Sequence, residues 1–331
     1  MDWFHSHPKL SIFLGVVAVF ILFVMIMALK PFSLRETFAP NPVQSYAEAV
    51  ARIENVQADE TEIPNLSSEC GSILMTHEEM VDNVIVFLHG FTSCPDQFET
   101  LGEEYFNQGY NVFIPRQPRH GLQEYDGAPL KGLTAEELAA FGTEVTDIAQ
   151  GLGDRVVVVG LSGGGAVATW LAEERADIDL AVPIAPFLGI SFIPRPLTRP
   201  LTNLILLLPD FHEWWDPTTG MSNPLSASYS YRGYYMHSLF ENLRLGFSAE
   251  EDAKQVKPAV GGILVITNAN DDSVNNEVVA EFEQLWLEHG EQFLQTYQFE
   301  EELGIPHDMI TFERPDGRVD IVYPKLLDLF H

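Results

Sequence analysis

The residues best suited to chemistry cluster around one serine. Residues 160–164 read Gly160-Leu161-Ser162-Gly163-Gly164 and directly follow the apolar run Val156–Val159. A run of β-branched residues bounded by glycine reads as a buried strand, and the segment after Ser162 reads as a helix to Arg175. A serine on a sharp strand-to-helix turn has its hydroxyl pushed out over the sheet edge. The residues two before and two after it must be small, because their Cα atoms crowd one another, and Gly160 and Gly164 meet that need. The new helix also aims backbone N–H groups and its positive dipole end at negative charge developing there. The pentapeptide alone is a common coincidence, and a structural Gly-rich turn is the alternative. Its place between strand and helix makes Ser162 the candidate nucleophile.

Serine is a weak nucleophile without a base. Of the ten histidines, His5 and His7 precede an apolar N-terminal run and His331 ends the chain. His89 and His120 each precede a glycine near a strand end, where a turn role accounts for them. His212 and His237 fall in an aromatic-rich insertion, and His289 ends a helix. His307 follows the last candidate strand and precedes the final helix, which is where the base falls when the chain order is nucleophile, acid, base. The acid belongs after the candidate strand Ile263–Thr267, where Asp271 and Asp272 are adjacent. Only one of them can orient an imidazole, and Asp271 is the favoured choice. An oxyanion needs two donors, each contributing about 3–4 kcal/mol to the transition state. The backbone N–H groups of Gly163 and Phe91 are the candidates.

These residues need a scaffold. From Ile73 onward, short apolar runs alternate with helical patterns. Strands are expected at Val84–Leu88, Val112–Ile114, Val156–Val159, Leu180–Ile184, Ile263–Thr267 and Thr296–Phe299. Helices are expected at Asp96–Gln108, Thr134–Gly151, Ser162–Arg175, Val274–His289 and Arg318–Phe330. Thr134 and Glu137 form a capping box at the start of the second. Such alternation implies an α/β fold with a mostly parallel central sheet covered by helices on both faces. One segment, 188–258, interrupts the pattern with many aromatics and prolines. It reads as an inserted lid, and Trp214 and Trp215 are its candidate substrate-binding residues. That it merely completes the core is the alternative.

The chain begins differently. Residues 10–29 form an uninterrupted apolar run between Lys9 and Lys30. About twenty helical residues reach the roughly 30 Å of a bilayer's hydrocarbon core. A cleaved signal peptide has a shorter apolar region and a small-residue cleavage site. The run therefore reads as one uncleaved transmembrane anchor, after a flank of residues 1–9. Residues 30–68 read as a tether with a short helix near Ser45–Glu54, and residues 69–331 as the catalytic domain.

Composition narrows the partners. The 331 residues carry 48 Asp and Glu against 18 Lys and Arg, a net charge of −30. That field repels nucleic acid. The two cysteines, Cys70 and Cys94, lack zinc-site spacing. A bridge between them would close a loop of about 25 residues and contribute roughly 3 kcal/mol. Because disulfides persist in oxidising compartments, this pairing is the reason to expect the domain outside the cytoplasm. Charge flanking the apolar run does not decide its orientation. No metal or nucleotide motif is present, so no cofactor is expected. Oligomeric state is not encoded in any pattern here.

Taken together, LHGFTSCPDQF, GYNVFIPRQPRHG, GLSGGG, TNANDDSV and IPHDMI resemble the α/β-hydrolase superfamily, most of all its carboxylesterase and monoacylglycerol-lipase branch. The resemblance covers about Ile73 to the C-terminus and is weakest in the lid. It implies a triad of Ser162, Asp271 and His307, with Phe91 and Gly163 as the oxyanion hole. It further implies a serine esterase acting on a small acyl ester or lipid. A thioesterase or peptidase would use the same triad. A membrane-tethered binding module is the non-enzyme alternative, and the filled triad and oxyanion positions speak against it. An epoxide hydrolase or dehalogenase would have Asp in place of Ser162.

Overall fold

The computed structural model describes residues 8–34, 36–290 and 293–330. His5, His7, Arg35 and His331 lie outside the described residues. Helix α1 (Pro8–Leu29) carries the apolar run, and its stretch Lys9–Met27 is long and apolar enough to cross a membrane. Helix α2 (Tyr46–Thr61) starts at Ser45, whose Oγ accepts from the Glu48 N–H. It runs beyond the short helix expected near Ser45–Glu54, and it is docked. Ala49 and Ile53 are fully buried. Glu60 accepts from the Ser72 N–H and hydroxyl, both at 2.7 Å, and pairs with Arg116 at 3.0 Å. The second half of the expected 30–68 tether is thus packed on the domain rather than hanging free.

The alternation then unfolds as β1 (Ile73–Met75), β2 (Val81–Leu88), α3 (Glu99–Asn107), β3 (Asn111–Ile114), α4 (Ala135–Ala149), β4 (Gly153–Leu161), α5 (Gly163–Glu174) and β5 (Leu180–Ile184). The insertion holds α6 (Arg195–Ile205), the paired strands β6 (His212–Trp214) and β7 (Gly233–Tyr235), and α7 (Met236–Ala253). The chain closes with β8 (Ile263–Asn268), α8 (Asn276–Glu288), β9 (Leu294–Phe299) and α9 (Val319–Leu329). Thr134 and Glu137 form the capping box that starts α4. Helix α8 begins two residues later than expected because Asn275 caps it, accepting from the Glu277 N–H.

Seven strands form one sheet in the order β1-β3-β2-β4-β5-β8-β9, parallel except for β1. Successive side chains of β2 leave on opposite faces. Val84, Val86 and Leu88 join the core under α4, α5 and α8, while Ile85 and Phe87 join the core under α3 and α9. A strand buried on both faces must be apolar at every position, which explains the unbroken Val/Ile runs. From β2 the chain steps to β3 on one side, then crosses to β4 on the other. The carboxyl ends of β2 and β4, with Leu88 opposite Gly160, therefore form a topological switch point, where ligands of open α/β sheets bind.

The insertion does not lie wholly outside the core. Leu243, Leu245, Ala249 and Ala253 of α7 are fully buried in the cores. The expected lid boundary of 188–258 thus includes a helix that completes the core.

Candidate active site

Ser162 sits where β4 gives way to α5, with φ 54° and ψ −111°, a backbone region costly for a residue with a Cβ. The turn is held by the Ser162 N–H donating to Ile184 O and by the Phe187 N–H donating to Ser162 O, both at 2.9 Å. A Cβ on Gly160 would stand 2.1 Å from Gly164 O, and one on Gly164 would stand 2.0 Å from Leu88 O. No larger residue fits at either position while the turn stays closed.

Two further loops meet this turn. His307, between β9 and α9, places Nε2 2.9 Å from Ser162 Oγ. Its Nδ1 lies 2.7 Å from Asp271 Oδ2. The other oxygen of Asp271 accepts from the Ser273 N–H at 2.9 Å and the Val274 N–H at 3.0 Å. Burial alone would raise the Asp271 pKa, but the bond and charge of His307 and those two amides hold it below the usual carboxylate range. Burial likewise opposes the charged imidazole of His307, yet the bond and charge of Asp271 raise its pKa above the ordinary value. Asp272 is engaged elsewhere. Its carboxylate accepts from the Ser273 hydroxyl at 3.1 Å and its carbonyl from the Ser191 hydroxyl.

The donors for an oxyanion lie on the third side. A Cβ on Gly163 would stand 2.9 Å from Phe91 N, so a side chain there would press on the Phe91 backbone. Among the described residues, no acceptor takes the N–H of Phe91 or Gly163. The loop carrying Phe91 is pinned at both ends. Ser93 N–H donates to Gly90 O at 3.0 Å, and Tyr231 N–H donates to Thr92 O at 2.8 Å.

Sequence reasoning missed a second pin. The Gly90 N–H donates to Gln97 Oε1 at 2.7 Å, and Gln97 Nε2 donates to Asp308 Oδ1 at 3.1 Å and Thr311 Oγ1 at 3.3 Å. One buried amide thus ties the Phe91 loop to the His307 loop. Its partners Asp308 and Thr311 are more than 200 residues away in sequence, so no local pattern announces the link. His89 and His120 are buried beneath Phe91 with ring centroids 5.0 Å apart. Burial drives His89 well below its ordinary pKa and His120 to about 4, so both are neutral wedges. His89 accepts at Nε2 from the Gln117 N–H, leaving Nδ1–H to donate to Gly90 O at 3.0 Å.

Of the lid tryptophans, Trp215 comes to the site and Trp214 does not. Trp215 Nε1–H donates to Thr92 Oγ1 at 2.9 Å, and its ring meets Tyr234 and the edge of Phe91. Trp214 points the other way and packs on His212. Cys70 and Cys94 are joined in a disulfide that is packed against Ala227 and Tyr229. The bridge anchors the start of the short 3-10 helix Pro95–Phe98 that carries Gln97.

Comparison with known proteins gives a consistent picture. The profile of a family described as the alpha/beta hydrolase family matches residues 85–321. A thermostable monoacylglycerol lipase of Bacillus sp. (strain H-257) is 32% identical over 120 residues, which span 34% of this chain and 44% of that enzyme. A solved structure from work on the metagenome-derived lipolytic enzymes LipS and LipT superposes with TM-score 0.59 at 18% identity, covering 80% of this chain and 98% of that one. A monoacylglycerol lipase of Paleococcus ferrophilus superposes with TM-score 0.58 at 16% identity, covering 78% and 96%. At such identities these structural likenesses speak to the fold.

Proposed function

This chain belongs to the alpha/beta hydrolase family, and we propose that it is a serine hydrolase that cleaves carboxylic esters of acyl or lipid type. One observation carries the reading. Asp271, His307 and Ser162 stand in one hydrogen-bonded line that ends beside the two unclaimed amides of Phe91 and Gly163.

The chemistry follows from that line. His307 Nε2 takes the proton of Ser162 Oγ as the oxygen attacks the ester carbonyl. The carbonyl oxygen becomes an oxyanion held by the amides of Phe91 and Gly163, already oriented before charge develops. Asp271 keeps the imidazole turned toward serine and stabilises its cationic form without itself taking the proton. The imidazolium then protonates the leaving alcohol, and the acyl group stays on Ser162. Water, activated by the same His307, releases the acid and restores the serine. The similarity to a monoacylglycerol lipase favours a lipid ester among acyl substrates.

Helix α1 serves as a single-pass anchor, and the Cys70–Cys94 bridge favours a catalytic domain on the oxidising side of the membrane. The test is turnover of p-nitrophenyl esters of increasing chain length by the full chain in nanodiscs beside Ser162→Ala. Hydrolysis by the parent alone is expected. Equal hydrolysis by both proteins sinks the assignment of Ser162, and none by folded parent sinks ester hydrolysis.

A further inference from the structure

The acid and the base stand on loops of different strands, and one side chain joins those loops. Asp271 follows β8, while His307 follows β9 and the short 3-10 helix Glu301–Leu303. The two strands pair as far as Asn268 opposite Phe299, and their loops then part. Beyond that point little backbone bonding holds the His307 loop. Pro306 has no N–H to give. Among the described residues, the one backbone–backbone bond made by residues 305–309 runs from the Met309 N–H to His307 O. Yet His307 must reach Ser162 Oγ and Asp271 Oδ2 at the same time.

Asn268, the last residue of β8, spans the gap. Its side chain is fully buried. Nδ2 donates to Ile305 O at 2.6 Å and to Pro306 O at 3.2 Å, immediately before His307. Oδ1 accepts from the Asn270 N–H at 3.0 Å, which starts the turn that carries Asp271. Both amide hydrogens and the oxygen thus have partners. Turning the amide over would set Oδ1 against two carbonyl oxygens, so the neighbours permit one orientation. The Asn268 backbone is held as well. Its carbonyl accepts from the Asp271 N–H at 3.1 Å and from Asn276 Nδ2 at 2.8 Å. Asn270 Nδ2 lies farther off, 3.4 Å from Ile305 O. On the other side of His307, Gln97 holds Asp308. The imidazole is slung between two buried amides, and of the two only Asn268 also touches the turn of the acid.

We propose that Asn268 is a positioning residue of the hydrolase, whose amide fixes the His307 loop to the Asp271 turn and so sets the Asp271–His307 bond. The proposal rests on the serine-hydrolase reading of the triad. Asn268 touches no substrate, and it acts through the two residues that it brings together. An apolar side chain of the same size would leave two carbonyls and an N–H unpaired at a buried joint. A shorter polar one can keep the turn and lose the span.

Asn268→Ser separates the two ends of the amide. A serine hydroxyl accepts from the N–H two residues on, which keeps the turn, but it is too short to reach Ile305 and Pro306. Parent, Asn268→Ser and Ser162→Ala are assayed as full chains in phosphatidylcholine nanodiscs, on p-nitrophenyl acetate across pH, with kcat taken per folded chain. Asn268→Ser is expected to lower kcat roughly thirtyfold, with KM within about twofold. Its acid limb is expected to move to lower pH. Burial lowers the His307 pKa, and the bond and charge of Asp271, with the charges of Asp308 and Asp272, outweigh it. A looser Asp271 bond lets that pKa fall, so the neutral base persists further into acid. On an Asp271→Asn background the same substitution is expected to add less than about twofold, because the bond it serves is already lost. Asn268→Asp keeps the volume and, when protonated, one of the two bonds, so its kcat is expected to fall between the parent and Asn268→Ser. Parent kcat in either variant, or the full loss repeated on Asp271→Asn, overturns the proposal and leaves Ser162 standing. A lower melting temperature with kcat and acid limb unchanged makes Asn268 merely structural and also overturns it. No turnover by the parent, or equal turnover by Ser162→Ala, fails the hydrolase reading itself and takes the proposal with it.

Discussion

The carboxyl edge of the sheet and the outer lid solve opposite problems with the same residue types. At the sheet edge, apolar side chains point inward and polar atoms converge on one serine. In the lid, α6 buries Thr198, Thr202 and Asn203 and packs Leu201 and Ile205 against the core, while Leu197 on it and Phe192, Leu207 and Leu208 beside it are exposed. The first arrangement is what water imposes on a catalytic domain. The second leaves part of the lid's apolar surface uncovered by the domain itself. Substitutions at the sheet edge should therefore act on every substrate alike, whereas those on the uncovered lid surface should cost the fold little.

The largest effects test the first half of that contrast. Asp271→Asn should lower kcat/KM by on the order of 10⁴ on soluble and vesicle-borne esters alike, because His307 loses the partner that orients it. Asp272→Asn should stay within roughly threefold, since among the described residues its carboxylate bonds only Ser273. Stopped-flow or steady-state kinetics on both substrates reads this directly. A larger loss at Asp272 would break the assignment of the acid.

Stability separates the regions next. Leu171 on α5 is fully buried, and Leu171→Ala should cost about 2–5 kcal/mol in denaturant unfolding. Leu207→Ala should cost less than about 0.5 kcal/mol in detergent, because its side chain leaves no cavity behind. A comparable loss at Leu207 would mean that α6 is packed more tightly than its exposure indicates.

The two regions also differed in how far they could be read from sequence. The Val runs of β2 and β4, the glycines around Ser162 and the capping box at Thr134 each express a local steric or hydrogen-bonding demand. Their outlines are legible for that reason, and the expected strands lie within a few residues of the observed ones. Helix α6 is not legible, because Pro200 lies inside it and its most buried positions are the polar Thr198, Thr202 and Asn203. The packing of α2 was also hidden. Its buried Glu60 looks like a surface charge until Arg116 and Ser72 are brought to it. Long-range polar partners leave no periodic trace, whichever region they hold together.

A smaller effect comes from a buried carboxylate under the sheet. Burial is the main cause that raises the Glu173 pKa to about 8, and the Trp286 N–H bond opposes it only in part. The unfolded chain releases this proton near 4.5, the ordinary glutamate value, while the folded chain keeps it to about 8. The folded state thus binds more protons between those values, and stability must fall as pH rises through that window. Glu173→Gln should remove this slope, so that it gains roughly 1–3 kcal/mol on the parent between pH 5 and pH 8. Parallel pH profiles of unfolding would show that Glu173 is ionised in the fold. The site itself should be indifferent, since Glu173 lies at the far end of α5 from Ser162.

The smallest effect is the one that most sharpens the picture of the sheet edge. Gln97 touches no substrate in the proposed reaction, and it acts on the Phe91 amide through Gly90 and on the His307 loop through Asp308. If it positions these groups, Gln97→Met should lower kcat by roughly tenfold, about one hydrogen bond's worth, with KM within about twofold. Thr311→Val leaves the Gly90 bond intact and loosens only the far end, so it should lower kcat by roughly two- to threefold. The acid limb of the pH–rate profile should stay where the parent has it in both variants, because Asp271 still raises the His307 pKa. A merely structural Gln97 predicts otherwise: a lower melting temperature with kcat unchanged in the folded fraction. Should kcat and the acid limb move together, the amide would be acting on His307 rather than on Phe91, and the order of the network would have to be reversed.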